Sequence, residues 1–141
     1  MRASAVKQAI ADKIEAITPD DMATHRDRFV SVDLRHRSGA GVVMTDRTFV
    51  VELAQVAPST LISPGTQVIT YDVHVFYAAQ DGIEDRVAKD AERLIDALYL
   101  LHAEAADIYF TAIQPLQLSD TVHEGLLEAV ISVDVTYKTD I

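Results

Sequence analysis

Cysteine is missing from all 141 residues, which excludes disulfides, thiolate metal sites and cysteine nucleophiles. Long apolar runs are missing as well, and no stretch approaches the ~20 residues that a bilayer-spanning helix needs, so no membrane association is expected. The opening Met1-Arg-Ala-Ser-Ala-Val-Lys7 has no continuous apolar core of the signal-peptide kind, and synthesis in the cytoplasm is expected. There is no glycine-rich phosphate loop, no G-x-S-x-G elbow and no H-E-x-x-H pair. Gly39-Ala-Gly41 lacks the third glycine of a dinucleotide fingerprint and opens no helix. The histidines, His25, His36, His74, His102 and His123, fall at no helical metal-ligand spacing. Carboxylates are abundant but scattered. The sequence therefore nominates no catalytic set, no cofactor site and no metal site, and an enzyme is not expected.

Basic residues are scarce, 12 lysines and arginines against 22 aspartates and glutamates, for a net charge of −10. An acidic body of this kind does not condense onto nucleic acid, because phosphate binding is driven by neutralising cations. The exception is an island between His25 and Arg47, where Arg26, Arg28, Arg35, Arg37 and Arg47 outnumber Asp27, Asp33 and Asp46. That island is suited to local contact with an acidic partner.

What is present is patterned apolar content. A 49% hydrophobic and 24% charged chain of this length suits one soluble domain over residues 1–141. The stretch from Val68 to Leu101 organises it. Ile69, Tyr71, Val73, Val75 and Tyr77 occupy alternate positions, with Thr70, Asp72 and His74 between them, as in a half-buried strand. From Asp85 to Leu101 the period changes to three and four. Val87, Ala91, Leu94, Ile95, Leu98 and Leu101 form an apolar stripe opposite Arg86, Lys89, Asp90, Arg93 and Asp96, which predicts a core helix anchored by Val87, Leu94, Ile95 and Leu98. Asp81 and Glu84 have the spacing of a capping box at its start. The last segment, Leu126 to Lys138, alternates Leu127, Ala129, Ile131, Val133, Val135 and Tyr137 on one face. Two long strands bracketing an amphipathic helix are most simply placed in one sheet with the helix laid across it.

The remaining elements follow from the same patterns. Ser4 to Ile17 sets Val6, Ile10, Ile14 and Ile17 on one helical face, and Thr18-Pro19 ends it. Phe29 to Leu34 and Phe49 to Leu53 read as the two strands of a hairpin, joined by a long connection from Arg35 to Arg47 whose Gly39 and Gly41 loosen the tip. Gln55 to Thr66 reads as a turn-rich linker. Ile108 to Leu116 reads as a weaker strand buried on both faces, and Gln117 to Gly125 as a polar turn. The expected fold is α+β: one mostly antiparallel sheet of about five strands, with an N-terminal helix and one long helix packed on it. Asp72 and His74 share one strand face, with Glu52 and Asp134 on neighbouring strands within reach. Imidazole and carboxylates in that grouping suit a metal, but the simpler reading is the polar side of a sheet whose other side is the core. Several long strands with only two helices to cover them also leave sheet surface for a second subunit.

The segment Tyr71-Asp-Val-His-Val-Phe-Tyr-Ala-Ala-Gln80, the acidic-capped helix after it, the short strand, and Leu126-Leu-Glu-Ala-Val-Ile-Ser-Val-Asp-Val-Thr-Tyr137 together resemble the tail terminator proteins of tailed bacteriophages. The resemblance covers nearly the whole chain and lies in element order and aromatic positions. It implies a virion structural protein of the neck, made in the host bacterial cytoplasm. Family members form a ring, commonly a hexamer, that caps the tail tube, stops tube polymerisation and meets the head-side connector or stopper protein, while DNA passes through without specific binding. An acidic wall suits that passage. The family uses long hairpin loops for partner contact, and the matching positions here are Arg35, His36, Arg37 and Arg47. The alternatives are another neck component, such as a head completion protein or connector stopper, and a small α+β ligand-binding domain built on the face around Asp72 and His74.

Overall fold

The computed structural model describes residues 1–19, 28–32, 46–58, 65–119 and 126–139. Helix α1 spans Ala3–Glu15, and helix α2 spans Ile83–Tyr99, followed by a 3-10 turn at Leu101–Ala103. The strands are β1 (Val30–Ser31), β2 (Thr48–Pro58), β3 (Thr66–Ala78), β4 (Ile108–Ile113), β5 (Gln117–Ser119) and β6 (Leu126–Lys138). They form one sheet in the order β1-β2-β3-β6-β4, with β5 pairing β6 as well. The architecture is α+β, as the sequence predicts.

The centre of the sheet is the antiparallel pair β3 and β6, in register without a break from Thr66 opposite Lys138 to Ala78 opposite Leu126. Because side chains alternate along a strand, this register sets Ile69 beside Val135, Tyr71 beside Val133 and Val73 beside Ile131, all buried on one face. Strand β2 adds Phe49 and Val51 to the same layer. Over it lie Val6, Ile10 and Ile14 of α1, one helical turn apart, and Val87, Leu94 and Leu98 of α2. Ile95, predicted with them, is half-buried at the margin of the same cluster. Leu101, in the 3-10 turn, is fully buried. Burial of each such leucine or isoleucine contributes about 1.5–3 kcal/mol.

Five local expectations are corrected. Gly82, with φ of 77°, occupies the N-cap of α2, and no side chain caps it, so the Asp81–Glu84 capping box does not form. A left-handed turn there suits a residue without Cβ, and Glu84 and Asp85 still meet the positive end of the helix dipole. Strands β1 and β2 pair in parallel, with Val30 opposite Thr48, and are not a hairpin. The long stretch between Val32 and Thr48 provides the crossover length that a parallel pair needs. The hairpin of this fold is β2–β3, because Gln55 to Pro58, read as linker, continue β2 opposite Thr70 to Gln67. Strand β4 is buried on one side only: a bulge between Ile108 and Phe110 puts Ile108 and Thr111 inward and leaves Tyr109 and Phe110 exposed. Gln117 to Ser119, expected in a turn, form β5 against Val130 to Glu128.

Candidate partner-binding surface

The long connection after β1 was the sequence's best candidate for partner contact. Arg35, His36 and Arg37 lie outside the described residues. Its end at Asp46 and Arg47 is described, and it is held firmly. Arg47 has φ of 61°, the left-handed region that non-glycine residues rarely enter, so its surroundings must over-determine it. Its side chain is 1% exposed. The guanidinium is bidentate to Asp90, Nε donating to Oδ2 and Nη2 to Oδ1, each at 2.8 Å. Tyr77 donates its hydroxyl to Oδ2 of the same carboxylate at 2.9 Å. The guanidinium carbon stands 5.7 Å from the centre of the Phe29 ring. The backbone is tied as well, since Arg47 N–H donates to the Phe76 carbonyl at 2.6 Å and Val30 N–H donates to the Arg47 carbonyl at 3.1 Å.

Arg47 is therefore no partner-contact residue; its charge is spent on Asp90 inside the chain. The apolar stripe puts Asp90 on the solvated side of α2, yet Asp90 is buried. A signal for this was in the spacing: Asp90 lies three residues after Val87 and four before Leu94, on the stripe itself. Next to it, Asp46 accepts from Ala78 N–H at 3.1 Å and from the Arg86 guanidinium. Arg86 and Asp90, one turn apart on α2, thus grip consecutive residues of the incoming chain. The Tyr77 hydroxyl is pushed far above its usual pKa, chiefly by burial and then by the charge and hydrogen bond of Asp90, with Arg47 partly opposing.

The outer sheet face carries a second polar cluster. His74 Nδ1 lies 2.5 Å from Glu128 Oε1 and joins β3 to β6, while Nε2 lies 3.0 Å from Glu52 Oε2 of β2 but is not aligned to hydrogen-bond it. Asp72 and Asp134, the other candidates, are engaged separately, accepting from Ser132 Oγ at 2.5 Å and Thr70 Oγ1 at 2.6 Å. With its two ring nitrogens turned to opposite carboxylates, His74 does not converge with them on one point. Among the described residues no group of three or more histidines, aspartates and glutamates is arranged to hold a metal ion. The face is also less wet than its sequence suggests, for Val50, Phe76 and Thr136 on it are buried. The arrangement is a cross-strand tie.

The apolar groups left on the surface are the remaining candidates for contact. Leu53 and Val56 project from β2, and Tyr109, Phe110 and Leu118 from β4 and β5 at the opposite side of the sheet. Tyr99 and Leu100, also exposed, close α2 beside β4, where Thr111 Oγ1 donates to the Leu98 carbonyl at 3.1 Å. No protein-family model matches this chain, and no curated protein matches it. Among the described residues no helix is long and apolar enough to cross a membrane.

Proposed function

We propose that this chain is a structural virion protein of the phage tail terminator type. It assembles into a ring, six copies in the form the resemblance implies, that caps the tail tube, stops its polymerisation and presents a face to the head-side connector. The supporting observation is the central unit: β3 and β6 paired along their full length, with α2 between them in sequence and laid on the same layer as α1. That is the element order on which the resemblance rests. The parallel β1–β2 pair departs from the hairpin that the resemblance implied. Exposed apolar residues on both sides of the sheet supply material for subunit contacts. The net charge of −10 suits a channel through which DNA slides.

With Arg47 committed internally, Arg35, His36 and Arg37 are the residues left for partner contact. The test is capping of purified tail tubes by the protein, scored by tube length, for the natural chain and for the double variant Arg35→Glu/Arg37→Glu. The natural chain should stop tube growth, and the double variant should lose capping while keeping its solution mass. Binding to portal-side proteins with no effect on tubes would reassign the chain to another part of the neck.

A further inference from the structure

Asp81 is the one aspartate of this chain that is followed by glycine, and asparagine is missing altogether. That pair carries a chemistry of its own. The backbone nitrogen after an aspartate lies near the side-chain carboxyl carbon, and a glycine in that position has no Cβ to crowd the approach. In a folded protein, the reaction between the two depends on how firmly they are held.

Asp81 and Gly82 stand at the centre of the turn between β3 and α2, which Ile83 N–H closes by donating to the Gln80 carbonyl at 3.3 Å. Both are exposed. Gly82 has φ of 77° and ψ of 10°, the values of the third residue of a type II turn. A Cβ on Gly82 would meet no atom within 4 Å. The Asp81 carboxylate caps no amide of α2, and among the described residues neither it, nor the Asp81 carbonyl, nor the Gly82 N–H has a hydrogen-bond partner. The peptide unit joining the two residues is therefore free to rotate, and the carboxyl is free to turn back on it. Other aspartates are placed differently. Asp12, Asp85 and Asp96 are exposed on helices, where the next N–H is tied into the helical ladder, as Arg86 N–H is to the Gly82 carbonyl at 3.2 Å. Asp72 and Asp134 lie within strands, precede valine and accept from Ser132 and Thr70.

We propose that Asp81-Gly82 is a site of spontaneous backbone modification, at which the folded chain converts to an isoaspartyl linkage. The Gly82 nitrogen bonds to Asp81 Cγ; its proton and the carboxyl hydroxyl leave together as water, and a succinimide ring closes. Water then reopens the ring. Attack at the Cγ carbonyl restores aspartate, whereas attack at the α-carbonyl leaves the main chain running through Cβ and Cγ, with the former α-carboxyl as a side group. One water leaves and one enters, so no oxidant, reductant or cofactor is required. The product carries an extra methylene in the main chain immediately before Gly82, whose left-handed conformation and carbonyl open α2. The ties of Arg86 to Asp46 and of Asp90 to Arg47 lie farther along the helix and hold it in place, so the disturbance stays in the first turn. The proposal stands apart from the terminator reading.

The test is prolonged warm incubation of the folded chain in heavy-oxygen water, then digestion in ordinary water and mass spectrometry with electron-transfer fragmentation, which tells isoaspartyl from aspartyl linkages. Heavy oxygen and the isoaspartyl linkage should appear at Asp81 and be absent from Asp12, Asp85 and Asp96. The variant Asp81→Glu, whose longer side chain would have to close a larger ring, should lose the label. Hydrogen exchange of the separated isoaspartyl form should be faster in the first turn of α2 and unchanged from Leu94 to Leu98. The same incubation in urea gives the rate of the unfolded chain. Label at Asp81 in urea but none in the folded chain would overturn the proposal, because the turn would then hold the two groups apart. Equal label at Asp85 and Asp96 would overturn it as well, by removing the distinction between turn and helix.

Discussion

Arg47 and His74 each bind carboxylates from distant parts of the chain, but they do so in different surroundings. The Arg47 and Asp90 side chains are 1% and 2% exposed. Those of His74, Glu52 and Glu128 are 14%, 39% and 17% exposed. In the first cluster water cannot replace a lost partner, so geometry has to satisfy both charges: two guanidinium donors on one carboxylate, a tyrosine hydroxyl on the same carboxylate, and an aromatic ring beside the cation. In the second, solvent reaches Glu52 and screens the pair. The first joins the incoming chain to α2 and ends the long connection at a fixed point. The second joins strands that backbone hydrogen bonds already hold.

The largest effect should come from Asp90→Ala, which leaves the Arg47 charge buried and unpaired. A loss of about 3–5 kcal/mol is expected in urea unfolding. Replacing both partners, Arg47→Met with Asp90→Leu, should recover most of that loss, because the penalty belongs to the orphaned charge more than to the missing attraction. If the double variant is as unstable as the single one, the cluster is held by shape and not by charge.

Leu98→Ala offers a neutral deletion in the same core and should cost about 2–5 kcal/mol, depending on how far the site collapses. Thermal unfolding at matched conditions would place it beside Asp90→Ala. A change near zero would mean that α2 does not lie on the sheet.

Tyr77→Phe removes one donor from Asp90 and should cost about 0.5–1.5 kcal/mol near neutral pH. Its alkaline behaviour is more telling. The folded pKa of Tyr77 is raised, so folding favours the protonated phenol. The linked stability is full below the unfolded tyrosine value of about 10 and is lost as pH climbs from there toward the folded value, because the unfolded chain releases the proton first. The natural chain should therefore lose stability above about pH 10 more steeply than Tyr77→Phe. Parallel curves would show that the hydroxyl is not buried against Asp90.

The smallest effect is expected on the sheet face, where His74→Gln should change stability by about 1 kcal/mol or less. A loss as large as that of Asp90→Ala would erase the distinction between the two clusters and show that the outer face is dry.

The legible parts of this fold are those whose pattern is local. Alternation from Ile69 to Tyr77 and from Leu127 to Tyr137 marked β3 and β6, and the three-and-four spacing of Val87, Leu94 and Leu98 marked the buried side of α2. The bulges were hidden, because whether Ala54 or Tyr109 is skipped depends on which residues the neighbouring strand offers. The parallel pairing of Val30 with Thr48 was hidden too, since alternation is the same in either direction. At the candidate surface, the arginine count could not say which arginine stays inside.

Which faces are apolar is written in the order of residues, because side-chain period is a property of consecutive residues and needs no partner. That Arg47 meets Asp90, forty-three positions away, and that β1 runs parallel to β2, were settled by the tertiary fold. Both outcomes depend on strand order and on the direction in which the chain returns, and those are set by the packing of the whole core.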